Sequence, residues 1–197
     1  MTDPTQRLVD TKGEYVTRPG YRYGALVTAI YDADTLIVDL DVFDHMWKKD
    51  EIIRLYGVNA QEIKRSKAKD IDAEDVQEGY DQRDVVIETL GLDPENFPRK
   101  VKYHDVSKTI LRGLDLDGDG VPDVFEYYEL PSPVWVIIET VKDDSGKFGR
   151  LLGVVHKPND DGVTSVNVNE VVRDLVGGVE FYDNKTYPAD YPIRPPA

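Results

Sequence analysis

An α+β fold is predicted by three observations in the 197-residue sequence. Two alternating apolar segments, Tyr21 to Ile30 and Thr35 to about Asp41, flank a short turn carrying Asp32 and Asp34, which is a hairpin signal. From about Asp72 to Leu90, the apolar residues Val76, Tyr80, Val86 or Ile87, and Leu90 recur at helical spacing. A dense apolar run from Val134 to Ile138 is joined through Lys147-Phe148-Gly149-Arg150 to Leu151 through His156, and the glycine in that link marks a second hairpin.

Each element follows in order. Residues 1–20 are polar and hold Pro4, Gly13, Pro19 and Gly20, so they form an N-terminal arm. In the first hairpin, Leu36, Val38 and Leu40 fall on one face of the second strand. Glu51 to Val58 supplies a third strand, and the helix at 72–90 follows it. Residues 91 to 132 separate that helix from the strand at Val134 and are read as an insertion. Val168 to Val176 is helical, with Asn167 or Asn169 as its cap and Gly177-Gly178 as its stop. Pro188, Pro192, Pro195 and Pro196 prevent residues 183–197 from continuing a helix or a central strand, which leaves a proline-rich tail. One domain therefore spans residues 21–182.

The charge balance restricts partners. Lys and Arg number 24 against 38 Asp and Glu, a formal charge of -14, so the general surface repels polyanions. The excess of Asp over Glu looks like that of salt-adapted, halophilic proteins and of calcium-binding ones. Without cysteine there is no disulfide and no thiolate metal site. The polar start, Met-Thr-Asp-Pro, carries no signal peptide and no run reaches membrane-spanning length, which predicts a soluble product made in a cytoplasm with no membrane partner. His45, His104 and His156 have no metal-ligand spacing.

Four separated pieces carry chemistry: Asp32-Ala33-Asp34-Thr35, then Arg54 through Glu62, then Gly149-Arg150, and then Val168-Asn169-Glu170. Phosphodiester hydrolysis needs a carboxylate-held cation, a carboxylate base and guanidinium groups that neutralise the developing charge. Arg54 is placed in an otherwise apolar strand, where a cation needs a partner or a purpose. By residue type, order and spacing the set resembles the active site of the staphylococcal nuclease (thermonuclease) family. That resemblance covers roughly residues 21–90 and 133–182.

The resemblance implies a five-stranded oligonucleotide-binding (OB-type) β-barrel with packed helices and calcium-dependent cleavage of DNA or RNA. By position, it implies that Asp34 is the charged calcium ligand, with Asp32, Asn59 and the Ala60 carbonyl beside it. Arg54 and Arg150 clamp the phosphate, Glu62 activates water, and Tyr182 contacts substrate; independently of the resemblance, the basic cluster that starts at Lys64 and Arg65 follows Glu62 and either steers phosphate toward the site or is a solvated lead-in to the helix. Asn169-Glu170 braces the barrel. Where the family has Asp and Pro, this chain has Asn59 and Gln61, so the site loses a negative charge and a loop restraint.

A second calcium signal stands outside the resemblance. Asp115, Asp117, Asp119, Asp123 and Glu126 occupy positions one, three, five, nine and twelve of a calcium loop, with Gly120 at six and the Val121 carbonyl at seven. Residues 102–111 alternate as a strand does, so the loop is expected to staple the insertion and not to act as a helix-loop-helix sensor. A competing reading follows from the acidic charge, the altered catalytic loop and the two arms. It is a structural or adaptor component of a virus particle or similar homo- or hetero-oligomeric assembly, joined through the arms.

Overall fold

The computed structural model describes residues 21–43, 46–64, 71–97, 101–104, 109–119, 121–128, 130, 132–141, 151–178 and 193. Among these residues the fold is mostly antiparallel sheet with two helices, in agreement with the α+β class. Strands β1 (Arg22–Asp32), β2 (Thr35–Phe43) and β3 (Met46–Leu55) form a meander. Strand β7 (Val134–Val141) pairs with the other side of β1, and β8 (Leu151–Pro158) pairs with β7. The start of β8 then runs parallel to β3, with Ile53 opposite Leu151 and Leu55 opposite Gly153, so five strands close into a ring. A short β9 (Ser165–Asn167) pairs with the far end of β8.

The insertion builds its own three-stranded sheet from β4 (Val101–His104), β5 (Thr109–Leu114) and β6 (Val124–Tyr128), after a 3-10 turn at Pro94–Asn96. Its position explains an unusual burial pattern. Every residue from Thr35 to Leu40 is buried, including Ile37 and Asp39 on the face opposite Leu36 and Val38. Ile110, Tyr128 and Leu130 of the insertion lie over that outer face, and the Leu130 amide donates to the Thr28 carbonyl at 3.0 Å.

Helix α1 (Ala73–Thr89) starts at Asp72, whose side chain accepts from the Glu74 and Asp75 amides while Asp75 returns the bond. Its buried face differs from the predicted stripe in the first turns. Gly79, Gln82 and Arg83 are buried there, ahead of Val86, Ile87 and Leu90, whereas Val76 and Tyr80 are only partly covered. Helix α2 (Val168–Val176) has Asn167 as its N-cap and ends at Gly177 with φ 73°, a left-handed conformation that favours glycine. Ile193, within the predicted tail, is buried: its carbonyl accepts from Asn167 Nδ2 at 2.9 Å and its amide donates to Glu170 Oε1 at 3.3 Å.

Candidate functional site

The two-aspartate turn and the loop after β3 meet at Asp34. The β1–β2 hairpin pairs Asp32 with Thr35, and a register shift between Ile30 and Asp32 precedes the turn. Such bulges re-aim side chains near a turn. Asp34 is 1% exposed, and its carboxylate accepts three hydrogen bonds: Thr35 Oγ1 at 2.9 Å, Arg54 Nη1 at 2.7 Å and the Ala60 amide at 2.8 Å. Arg54 stands opposite Thr35 on β3, and its Nη2 donates to Asn59 Oδ1. The guanidinium thus links the turn to the loop, with two nitrogens used in different directions.

Asp32 lies beside this cluster and accepts from the Asp34 amide at 3.2 Å. Burial pushes its carboxyl well above the ordinary value of 3.8, and the Asp34 charge adds to the rise against the opposing pull of Thr35 and Arg54. A cation with a preference for oxygen relieves such crowding. Asp32, Asp34 and the Asn59 amide oxygen are donors of the type that hard divalent ions take, with Asp34 and Asn59 both accepting here from Arg54.

The loop carrying Glu62 is held from behind by α1. Gln82 accepts from the Gln61 amide at 2.9 Å and donates to Glu78 at 3.0 Å. A Cβ on Gly79 would come within 2.8 Å of the Glu62 carbonyl oxygen and 2.9 Å of the Gln61 carbonyl oxygen, so helix and loop are in backbone contact. Buried Ile63 anchors the next position, and Glu62 itself is half-buried. Lys64 Nζ sits 5.4 Å from the centre of the Tyr31 ring, which brings this cation to the strand that bears Asp32.

Asn169 completes the support. Fully buried at the start of α2, it accepts from the Val155 amide at 2.8 Å and donates to the carbonyls of Tyr56 at 2.9 Å and Gly153 at 3.0 Å. Gln82 and Gly79 are the supporting residues that sequence reasoning missed. A glutamine and a glycine on the buried side of an otherwise amphipathic helix were the available signal. Asp32, Asp34, Arg54, Asn59 and Ala60 are brought together, and Glu62 and Lys64 lie on the same loop. Arg65, Arg150 and Tyr182 lie outside the described residues.

The acidic loop is the connection between β5 and β6, flanked by strands, as the alternation in 102–111 implied. Carboxylate oxygens of Asp115, Asp117 and Asp123 all lie within 4.8 Å of one another. Asp119 and Glu126 stand apart from that group. Asp119 accepts from the Val121 amide at 2.7 Å, and Glu126, opposite Arg112 in the hairpin, is paired with that arginine. Three of the five predicted side-chain ligands therefore converge. No protein-family model, curated protein or solved structure matches the chain.

Proposed function

We propose that the chain is a calcium-dependent phosphodiesterase cleaving DNA or RNA, built on an OB-type barrel of the staphylococcal nuclease kind. The observation that carries this reading is the buried Asp34 carboxylate, which accepts from Arg54 and from the Ala60 amide of a distant segment while the same arginine holds Asn59. Asp32, Asp34, Asn59 and the Ala60 carbonyl would hold calcium, which when bound supplies positive charge against the phosphate oxygens. Glu62 takes the proton of the attacking water, and Arg54 with Arg150 neutralises the pentacovalent phosphorus. Gln82 and Gly79 aim the Glu62 loop.

The test is cleavage of fluorogenic single-stranded DNA and RNA by the full chain across calcium and salt titrations. Glu62→Gln and Arg54→Lys are each expected to lower turnover by about 100-fold or more. Wild-type protein that leaves both substrates intact under every condition defeats the proposal. The 115–126 loop supplies a separate, structural calcium site in this reading, with Asp115, Asp117 and Asp123 as its core. Calcium then raises the melting temperature of the wild type and much less that of Asp115→Ala; equal shifts in both count against it.

One observation favours the competing assembly role. Both terminal nitrogens of Arg54 are already bonded within the chain, to Asp34 and Asn59, on a protein of net charge -14. In that reading the arginine is a structural clamp, and the barrel serves as an adaptor in an oligomer or particle. Sedimentation equilibrium of an inactive chain distinguishes the roles: an adaptor self-associates or captures its partner, and a strictly monomeric protein contradicts self-assembly.

A further inference from the structure

The two tryptophans of the chain, Trp47 and Trp135, meet on the outer face of the sheet. Register brings them together. Leu26 stands opposite both Asp39 and Trp135, while Gly24 stands opposite Asp41, which in turn faces Trp47 on β3. Directly opposed residues share a face, so these side chains lie away from the core positions Ala25 and Val27. The ring centres are 6.2 Å apart and the planes 79° apart, so the indoles make a corner and not a stack. Trp135 lies across Gly24, where a Cβ would stand 2.4 Å from Cζ2 and 2.8 Å from Cη2. Although seated there, Trp135 is still 45% exposed.

Between the two indoles in this register is Asp41. It is half-buried, yet its side chain makes no hydrogen bond or ion pair with any described residue. Its neighbours Asp39 and Glu51 each have a lysine, Lys49 and Lys48. A partly desolvated carboxylate without a counter-charge favours any cation that fits beside it. Lys49 Nζ already stands 5.6 Å from the centre of the Trp47 ring, so this indole lies where it attracts positive charge, but that ammonium is committed to Asp39.

Two aromatic rings at nearly right angles with a free carboxylate between them suit a cation whose own surface is apolar. A quaternary ammonium meets both demands, since its methyl groups cover the indoles while its charge faces the carboxylate. A polyanion is repelled by Asp41 and by the net charge of -14. A neutral sugar can stack on the rings but leaves the carboxylate uncompensated. We propose that the corner formed by Trp47 and Trp135 binds a small quaternary ammonium compound of the choline class, with Asp41 as its counter-charge. The site sits at the far end of the β1–β2 hairpin from the Asp34 turn, and it stands whether or not the chain cleaves phosphodiesters.

Because the corner holds both tryptophans, tryptophan emission of the full chain reports on this site alone. The experiment titrates it with choline chloride through the millimolar range, with sodium chloride at matched ionic strength, and with the neutral isostere in which carbon replaces the nitrogen. A saturable change is expected with choline, none with sodium chloride and a much weaker one with the isostere. Asp41→Asn, which breaks no internal bond, is expected to weaken choline about fivefold while the melting temperature holds. Trp47→Leu, read from Trp135, weakens it about two- to fivefold. Gly24→Ala pushes the Trp135 indole from its seat and weakens it too. The proposal is overturned by an absent or unsaturable response, by equal affinity for the isostere, or by undiminished affinity in Asp41→Asn. Methyl glucoside binding more tightly than choline overturns it as well, and so does an emission shift with protein concentration alone, which means that a second copy covers the corner.

Discussion

Replacing Asn169 by Ala tests whether one buried amide holds the ring to the loop that carries the candidate site. Three hydrogen bonds disappear, but they do not count equally. The Gly153 carbonyl keeps a second donor, the Tyr56 amide at 2.9 Å, and the Tyr56 carbonyl is only partly buried, so water can replace part of its loss. The Val155 amide is buried and loses its acceptor outright. At about 1–3 kcal/mol for a stranded buried group, plus a small cavity term, the substitution costs about 2–4 kcal/mol. That is a large part of the roughly 5–15 kcal/mol available to a domain. Urea denaturation followed by circular dichroism measures it. Asn169→Asp is expected to cost at least as much, because it keeps the acceptor for Val155 but aims an oxygen at two carbonyls. A loss under about 1 kcal/mol for Asn169→Ala would show that the brace is incidental.

Three further outcomes follow from neighbouring features. Gly79→Ala, which in an exposed helix gains up to about 1 kcal/mol, should instead cost about 1–3 kcal/mol here, since its Cβ meets the loop backbone under 3.0 Å away; a rise in melting temperature contradicts that contact. Asn59→Asp restores a negative charge and should tighten calcium about tenfold or more in a chain whose acidic loop carries Asp115→Ala, as read by calorimetry; unchanged affinity removes Asn59 from the ligand set. His156 is lowered from its ordinary 6.5, first by burial, with Glu139 and Glu170 opposing and Arg22 assisting. The unfolded chain then binds a proton before the folded one, so stability falls as pH drops below about 6.5 and levels off once the folded imidazole also titrates. His156→Gln should flatten that slope in urea melts at pH 5 to 8, and parallel slopes would assign it to other groups.

The legible parts of the chain are those whose signals are local. Helix α2 was readable to its ends because an Asn cap and a Gly stop bracket a short amphipathic run. The β1–β2 hairpin was readable from alternation alone. Strand β3 begins at Met46, five residues before the predicted start, because Lys49 and Asp50 together stand opposite the single residue Asp39, a one-residue bulge that interrupts the alternation. It also ends at Leu55 instead of Val58, where the chain turns toward Asp34. Of the inserted sheet only the strand-like alternation of 102–111 was visible; the strand at Val124–Tyr128 was hidden inside the acidic loop pattern, and the sheet's place over β2 was hidden because nothing local says which face of Ile37 and Asp39 another segment will occupy. Within the site, charge and order pointed to Asp34 and Arg54. The roles of Gln82 and Gly79 depend on a helix meeting a loop some twenty residues away, and Glu126 was diverted by Arg112, its cross-strand neighbour. Periodicity carries no information about such meetings.

Closure of the ring sets an order of events during synthesis. Strand β3 gains its second neighbour only when Leu151 to Gly153 reach it, whereas the meander and the inserted sheet need only contacts already available upstream. A nascent chain therefore carries an open β3 edge for roughly a hundred residues of elongation, and open edges are templates for pairing with other chains. Lys48, Lys49 and Asp50 lie along that strand, with Asp50 bending it through its left-handed backbone. Charge and an irregular backbone discourage a foreign strand, so this stretch guards the part of β3 that precedes Ile53–Leu55, the segment that β8 pairs with, before and after β8 arrives.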